Sequence, residues 1–230
     1  AASKNWSKVN PAIFGTLFQQ SMDSKEQHQH GRHFTSEADI QRIVGPTIVR
    51  QWQMRIDAAR SMAELLKLRK ELSSFKVLDP ACGSGNFLYV AYREIARLDI
   101  RLMLRLKAMV SHAEFLKQAR IVTAISPRQF FGIDNDAFGV ELAKVTLMLA
   151  KKLAHDEAVN ELFCDDGEYN KGVVELALDG DDSLPLDNLD ANFSVGDALV
   201  QADGTRPSWP KFDVIIGNPP FIGAKLMKPL

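Results

Sequence analysis

Cysteines and long apolar runs are scarce in this chain of 230 residues. The two cysteines, Cys82 and Cys164, cannot build a disulfide framework and fit a reducing cytoplasm. No uninterrupted run of about 18 apolar residues occurs, which excludes a transmembrane helix of the usual kind. The first residues also lack the apolar core of a signal peptide. We therefore expect a cytoplasmic protein that does not enter a membrane.

An excess of positive charge is also missing. The chain carries 28 lysines and arginines against 29 acidic residues, which gives a net charge of −1. Proteins that hold nucleic acid over a wide surface are usually basic. Any main DNA-binding surface is therefore expected outside this chain or on a local patch.

Patterns typical of metal or phosphate sites are absent or incomplete. His28, His30 and His33 lie close together but without a fixed ligand spacing, which favours a solvated loop over a metal site. The acidic segment 155–190 misses the EF-hand spacing and is predicted to be a surface excursion. No Gly-Lys-Ser/Thr triplet follows the glycine-rich loop at 80–85, which excludes a P-loop. No metal site is predicted.

A glycine-rich loop is present between a predicted strand and a predicted helix. The strand covers 75–79, the loop 80–85, and the helix begins at Asn86. Segments in this order bind a nucleotide-like cofactor at the helix N-terminus. Asp79 ends the strand, where a carboxylate suits a cation or an amine better than a phosphate. We therefore expect a cofactor that has an ammonium group and no phosphates.

Two further predicted strands, at 129–136 and 192–199, carry an aspartate near their ends. Asp134 has the position from which a carboxylate can accept both ribose hydroxyls of a nucleoside. The competing interpretation, a carboxylate at a helix N-terminus, fits Asp136 better than Asp134. The helix predicted at 137–153 is apolar nearly all round and should be buried. Asp197 ends the later strand.

The last predicted strand, at 212–217, is apolar and β-branched, which is typical of a fully buried central strand. In this chain it is expected to lie at an unprotected edge of the sheet unless another segment pairs with it. Asn218, Pro219, Pro220 and Phe221 follow it. Each proline fixes its own φ and removes an N–H, which leaves backbone carbonyls free to accept hydrogen bonds. Asn218 adds an amide oxygen and Phe221 a flat apolar face. This turn is predicted to bind a planar group that carries an exocyclic amine.

The first 73 residues are predicted to be mainly helical. Ser36 and Asp39 resemble a capping box, and Gly45-Pro46 is predicted to kink the helix or to start a new one. Phe34 and Thr35 have two interpretations. Locally, a hydrophobic staple beside the cap is favoured over a loop whose threonine hydroxyl contacts a ligand carboxylate.

Arginines recur every four residues along the helix that follows the glycine-rich loop and form a row on one face. A second helix is predicted at 113–122. The row consists of Arg93, Arg97, Arg101 and Arg105. Such a row can contact DNA phosphates. A solvated helix face is the commoner role and is favoured.

Together these segments resemble the gamma class of adenine-specific DNA methyltransferases, which use S-adenosylmethionine. The similar segments are 79–87 (motif I), 131–134 (motif II), 196–198 (motif III), 218–221 (motif IV) and 33–36 (motif X). Motif X precedes motif I, as in the gamma class. The segment 13–35 and the long helical insertion after motif I are most similar to fused type II restriction–modification enzymes of the IIG/IIL, MmeI-like kind.

The resemblance implies an α/β fold, the Rossmann-like fold of S-adenosylmethionine-dependent methyltransferases. Its doubly wound sheet is expected to be incomplete at the C-terminus. An N-terminal helical segment with motif X would cover 1–73 and a partial catalytic domain 74–230. The implied partners are double-stranded DNA, bound mostly through regions outside this chain, the remaining methyltransferase strands and a target-recognition domain. The chain alone is expected to be inactive, and any fused nuclease lies outside it.

The resemblance also implies how the site residues act. A flipped-out adenine would donate its amine hydrogens to the Asn218 side chain and the Pro219 carbonyl. The implied catalytic residues are Asn218, Pro219, Pro220 and Phe221, with Phe221 stacked on the base. Asp79 would bind the methionine part of the cofactor, Asp134 the ribose and Asp197 the adenine amine. The implied cofactor contacts are Phe34, Thr35, Asp79, Ala81, Cys82, Gly83, Gly85, Asn86, Phe87, Asp134, Asn135, Asp197 and Ala198.

Three other activities stay open at this point. Enzymes with a similar Asn-Pro-Pro-aromatic segment methylate a glutamine side-chain amide in proteins, and the cytosine amine is a weaker rival. A non-catalytic DNA-binding or scaffold module is the alternative from another class. Motif X ahead of motif I and the helical insertion favour adenine in DNA.

Overall fold

The computed structural model describes residues 35–111, 114–115, 123–165, 168–169, 188–201 and 203–219. The helices within these ranges are α1 (Glu37–Val44), α2 (Arg50–Ala58), α3 (Met62–Leu72), α4 (Asn86–Lys107) and α5 (Ala137–Phe163). A π-helical turn, Gly45–Val49, joins α1 to α2 at the predicted kink, and a 3-10 turn, Pro127–Gln129, precedes β2. The strands are β1 (Val77–Asp79), β2 (Phe130–Asp134), β3 (Cys164–Asp165), β4 (Glu168–Tyr169), β5 (Phe193–Val195) and β6 (Val214–Ile215).

Four of the strands form one parallel sheet in the order β5–β2–β1–β6. The chain runs from β1 outward through β2 to β5 and then forms β6 on the other side of β1. This reversal confirms the predicted doubly wound arrangement and puts a topological switch point between β1 and β6. Open α/β sheets bind ligands outside the carboxyl ends of the strands at such a point. Strands β3 and β4 form a separate antiparallel pair.

One face of the sheet is covered by helices. Helices α4 and α5 pack on each other and on β2, and Tyr92 of α4 contacts the ring of Phe130 with centroids 5.1 Å apart. Buried apolar residues of α1, α2 and α3, among them Ile40, Ile56 and Leu72, belong to the same hydrophobic core. The predicted N-terminal helical segment and the sheet therefore share one core.

The opposite face of the sheet is less completely covered by the described residues. The alternation of side chains along the strands places Leu78, Phe131 and Ile215 on this face. Phe131 packs edge-on against Phe212 with ring centroids 5.1 Å apart, whereas Ile215 is 53% exposed. The segment 197–212 crosses this face and leaves a cavity of about 480 Å³ against the strands.

The prediction of a fully buried strand at 212–217 is wrong, whereas its expected place at an open edge of the sheet is confirmed among the described strands. Strand β6 spans two residues, and among the described strands it pairs with β1 alone. One of its two side chains, Ile215, points to the incompletely covered face. A β-branched apolar run predicts a strand correctly but does not tell whether both faces are packed.

Helix α5 is longer than predicted. It continues past 153 to Phe163, because Ala154, Ala158 and Leu162 lie on its buried side at helical spacing. This corrects the interpretation of 155–190 as a surface excursion for residues 155–163, whereas residues 170–187 lie outside the described residues. The helix is also not buried all round, since Val145 is 49% exposed. Neither this helix nor another described one combines the length and the apolar character needed to cross a membrane.

The arginine row of α4 is engaged within the protein. Two of its members pair with one carboxylate of α5, and the other two bind the C-terminal end of α2. The contacts are Arg93 and Arg97 with Glu157, Arg101 with Asp57, and Arg105 with the carbonyl oxygens of Ile56 and Ala59. Cations are favourable at a helix C-terminus. The row therefore joins three helices, and the favoured interpretation as a solvated face holds only for Arg97 and Arg101, which are exposed.

Candidate active site

The loop between β1 and α4 turns through two glycines with left-handed backbone conformation. Gly83 has a φ of +50° and Gly85 a φ of +86°. A Cβ at Gly85 would lie 2.9 Å from the Cα of Ala143 in α5, so the position requires glycine for space as well as for conformation. The Cys82 amide donates to the Ile133 carbonyl at 2.9 Å, which ties the loop to β2. No side chain caps the N-terminus of α4.

Asp79 lies beneath this loop and is 1% exposed. Its Oδ1 accepts a hydrogen bond from the Ala81 amide at 3.1 Å. Burial raises the pKa of this carboxyl to about 7, the Ala81 amide opposes the shift, and the negative charge of Asp134 adds to it. In the described part of the chain no cation pairs with Asp79. Gly217 passes so close that a Cβ there would lie 2.5 Å from Oδ1.

Asp134 connects the glycine loop to the start of α5. Its Oδ2 accepts from the Gly83 amide at 2.8 Å and its Oδ1 from the Asp136 amide at 2.9 Å. A carboxylate offers about four lone-pair positions, so further donors can bind it. Asp136 caps α5 by accepting from two backbone amides of the first turn, which confirms its interpretation as a helix N-terminal carboxylate. Asn135 between them is exposed.

The close packing at two glycines of the site was not predicted, because each glycine faces a residue distant in the chain. A Cβ at Gly132 would lie 2.6 Å from the Phe193 ring and 2.8 Å from the Cys82 sulfur. The second is Gly217, which faces Asp79. A glycine inside or at the end of a strand run was the available signal, because it marks a close approach. Burial raises the pKa of the Cys82 thiol, so its side chain packs as a neutral group.

Asp197 lies in the turn after β5, next to the end of β2. The Gly196 amide donates to the Asp134 carbonyl at 2.9 Å, which joins the two strand ends. Oδ1 of Asp197 accepts from the backbone amides two and three residues later. Asp197 is exposed and Ala198 is half-buried.

Asn218 and Pro219 are exposed and follow β6 at its carboxyl end. The Ile216 amide donates to the Leu78 carbonyl at 2.9 Å and extends the pairing with β1. The Asn218 Nδ2 donates to the Thr35 Oγ1 at 3.1 Å, although the two residues are 183 positions apart in the chain. The structure therefore brings the segment predicted as motif X into contact with the segment predicted as motif IV.

Thr35 is half-buried and immediately precedes Ser36, the N-cap residue of α1. The Ser36 Oγ accepts from the Asp39 amide at 3.2 Å and donates to the Asp39 carboxylate at 2.7 Å. This is a variant of the predicted capping box, with the aspartate contacting the serine hydroxyl. The cap fixes the chain on the C-terminal side of Thr35.

The remaining predicted site residues divide into two groups. Ala81 and Asn86 are half-buried in the loop and at the start of α4, and Phe87 is 5% exposed in the core. Phe34, Pro220 and Phe221 lie outside the described residues, as do the three clustered histidines and most of the predicted helix at 113–122. Within the described ranges no three His, Cys, Asp or Glu side chains are grouped to hold a metal ion.

A family model described as the MmeI DNA-methyltransferase domain matches residues 55–229 of this chain. DNA methyltransferase A of Bacillus subtilis is 30% identical over 222 residues, which are 96% of this chain and 23% of that protein. The adenine-specific methyltransferase PglX of Streptomyces coelicolor is 27% identical over 162 residues, 65% of this chain and 12% of that protein.

The solved structure of the type IIL restriction-modification enzyme MmeI in complex with DNA has a similar fold. The TM-score is 0.60 and the sequence identity 32%, over 73% of this chain and 22% of that chain. The chain thus spans less than a quarter of the length of these relatives. The predicted Rossmann-like methyltransferase fold is confirmed. Because the family model covers β1, β2, β5, β6 and the helices between them, the chain belongs to the MmeI DNA-methyltransferase domain family.

Proposed function

We propose that this domain transfers a methyl group from S-adenosylmethionine to the exocyclic N6 amine of adenine in double-stranded DNA, as the modification part of a restriction–modification system. The observation that carries the proposal is the meeting of Asp79, the glycine loop and Asn218 at the switch point. The names of the relatives support the substrate: PglX is an adenine-specific methyltransferase, and the MmeI structure contains DNA.

The residues at the switch point fit S-adenosylmethionine. Burial keeps the pKa of Asp79 near 7, and an ammonium group beside it would favour the ionised form. Asp134 retains acceptor capacity for ribose hydroxyls after binding two backbone amides. The loop 80–86 contains no lysine or arginine, which suits a cofactor without phosphates. When bound, the cofactor supplies an electrophilic methyl group attached to a sulfonium sulfur.

The remaining cofactor contacts are assigned with the same proposal. Motif X contributes the threonine hydroxyl beside the cap of α1, and the glycine loop contributes backbone groups. Asp197 accepts from the adenine amine of the cofactor through the carboxylate oxygen that does not bind the two following amides. These contacts are Phe34, Thr35, Ala81, Cys82, Gly83, Gly85, Asn86, Phe87, Asn135, Asp197 and Ala198.

Asn218 and Pro219 position the target amine. An adenine inside a duplex cannot reach an exposed amide on a sheet end, so the base must be flipped out of the helix. The Asn218 Oδ1 and the Pro219 carbonyl then each accept one N–H of the amine, which directs the nitrogen lone pair to the methyl carbon. The cofactor would supply its methyl group to this lone pair and leave as the neutral thioether, and the amine would release one proton to solvent. Pro220 stiffens the turn and Phe221 stacks on the base, so rate enhancement is mainly positional.

The test measures transfer of tritiated methyl from S-adenosylmethionine to DNA by the full-length protein that contains this sequence. Wild-type protein should label N6 of adenine. The Asn218→Ala variant should lose at least about 100-fold in kcat, as expected when a polar group that holds the reacting atoms is removed. Its affinity for cofactor should change less than about threefold, because Asn218 is assigned to the amine alone. Asn188→Ala is the matched control and should retain activity, because Asn188 is also exposed but lies ahead of β5 in the chain and not at the carboxyl end of a strand.

Each other outcome contradicts a different part of the proposal. Label in cytosine or in a protein glutamine would reject adenine as the substrate. An equal loss of cofactor binding and transfer in Asn218→Ala would reject the role assigned to Asn218. A wild-type protein that binds no S-adenosylmethionine in calorimetry would reject the cofactor.

A further inference from the structure

We propose that Thr35 is a positioning residue that determines which end of the Asn218 amide faces the target amine. The observation is the hydrogen bond of 3.1 Å in which the Asn218 Nδ2 donates to the Thr35 Oγ1. This role rests on the proposed function and is separate from the cofactor contact assigned to the same threonine, because it concerns only the orientation of the amide.

The orientation matters because the two ends of an asparagine amide have opposite hydrogen-bonding character. The oxygen accepts hydrogen bonds and the nitrogen donates them. An exocyclic amine also donates, so it can bind the Oδ1 of Asn218 but is repelled by the Nδ2. Rotation about the terminal torsion of asparagine is broad and roughly two-fold, so the side chain itself does not select one orientation. An external contact has to select it.

Thr35 supplies that contact within the described part of the chain. Asn218 is exposed, and its side chain makes one hydrogen bond among the described residues, the one to Thr35. A threonine oxygen that accepts from the Nδ2 leaves the Oδ1 free on the other side of the amide. The observed orientation is therefore the one that a donor amine requires.

Both partners lie next to regular structure, so the contact can transmit position. Thr35 is followed by the capping serine of α1, whose backbone carbonyl accepts from the amides of Asp39 and Ile40. Asn218 follows β6, and the Ile216 amide is hydrogen-bonded to β1. Side chains anchored by helices and strands keep the geometry of a site more precisely than side chains on loops. The hydrogen bond thus joins the start of α1 to the end of the sheet.

The first test compares Thr35→Val, which keeps the shape and removes the hydroxyl, with Thr35→Ser, which keeps the hydroxyl. The full-length protein is assayed for methyl transfer at saturating cofactor, so that any change in cofactor affinity does not enter kcat. Thr35→Val should lower kcat about five- to tenfold, the effect of losing one hydrogen bond. Thr35→Ser should stay within about twofold of wild type. Thr47→Val, which removes an exposed hydroxyl that bonds its own helix, is the matched control and should leave kcat unchanged.

The second test reads the orientation without any activity. In the 230-residue chain labelled with nitrogen-15, the two Nδ2 protons of Asn218 should exchange with water at different rates, because one of them is bonded to Thr35. Thr35→Val should remove the difference and Thr35→Ser should keep it. Unchanged exchange in Thr35→Val, or equal kcat values for the valine and serine variants, would reject the role of Thr35. Absence of adenine methylation by wild type would reject the proposed function and leave the exchange result to decide the orientation.

Discussion

The two halves of the proposed site are built in different ways. We call Asp79, Gly83, Gly85 and Asp134 the cofactor half, and Asn218 with Pro219 the amine half. The cofactor half is buried or half-buried and is held by backbone amides and by the close approach of α5. The amine half is exposed and follows a two-residue strand at the edge of the described sheet. Changes in the cofactor half should therefore alter folding stability, whereas changes in the amine half should alter rate.

The largest effect on stability is expected from Gly85→Ala. The new Cβ would lie 2.9 Å from the Cα and 3.2 Å from the carbonyl oxygen of Ala143, and the φ of +86° disfavours alanine. Left-handed strain of about 1–2 kcal/mol adds to about 1–3 kcal/mol for overpacking, which predicts a loss of about 2–5 kcal/mol. Urea unfolding of the chain, followed by circular dichroism, measures the change.

Gly83→Ala is the matched control in the same loop. Gly83 also has a positive φ, but no atom lies within 4 Å of the position that a Cβ would take there. Only the left-handed strain remains, so we expect a loss of about 1–2 kcal/mol. Equal losses in the two variants would show that the approach of α5 to the loop is not what holds the cofactor half.

A smaller effect, with the opposite sign, is expected from Asp79→Asn. Folding raises the pKa of Asp79 from 3.8 to about 7, so the folded protein retains a proton that the unfolded chain releases in this range. The contribution of Asp79 to wild-type stability should therefore fall as the pH rises from about 4 to about 7 and should be constant above pH 7. At pH 8, Asp79→Asn can raise the free energy of unfolding by at most an amount on the order of 4 kcal/mol, the limit set by this pKa shift. We expect about 1–3 kcal/mol, because the amide also needs hydrogen-bond partners.

Thermal unfolding of wild type and Asp79→Asn at pH 4.5 and pH 8 measures this effect. The variant should be more stable than wild type at pH 8, and the difference should be smaller at pH 4.5. A variant that is destabilised equally at both values would show that Asp79 is ionised and stabilising in the folded protein. The bound cofactor should reverse the order at pH 8, because an ammonium group favours the ionised carboxyl.

Much of the cofactor half was predictable because its signals are local. A strand, a glycine loop and a helix within 75–107 specify the turn, and Asp79 and Asp134 end buried strand segments. These features depend on neighbours in sequence, which a pattern records directly.

The contacts that were missed join residues distant in the chain. The partners of the arginine row lie on α2 and α5, and a row of charges does not show which carboxylates will face it. The end of α5 was missed because the charged residues around Ala154 and Ala158 make this part of the helix polar in composition, although both alanines are buried. The hydrogen bond between Thr35 and Asn218 spans 183 positions and has no local signal. Tertiary pairing decided each of these features.

The smallest effect is expected from Ile215→Thr in β6, the strand that leads to the amine half. Ile215 is 53% exposed, and threonine keeps the β-branched shape that strands favour. The free energy of unfolding should therefore fall by less than about 1 kcal/mol. The neighbour Ile216 is 4% exposed on the helix-covered face, and Ile216→Thr should cost about 2–4 kcal/mol, because it removes buried apolar surface and buries a hydroxyl. Urea unfolding of both variants measures the difference. If Ile215→Thr proved as costly as Ile216→Thr, both faces of β6 would contribute to the core, and the amine half would be as firmly built as the cofactor half.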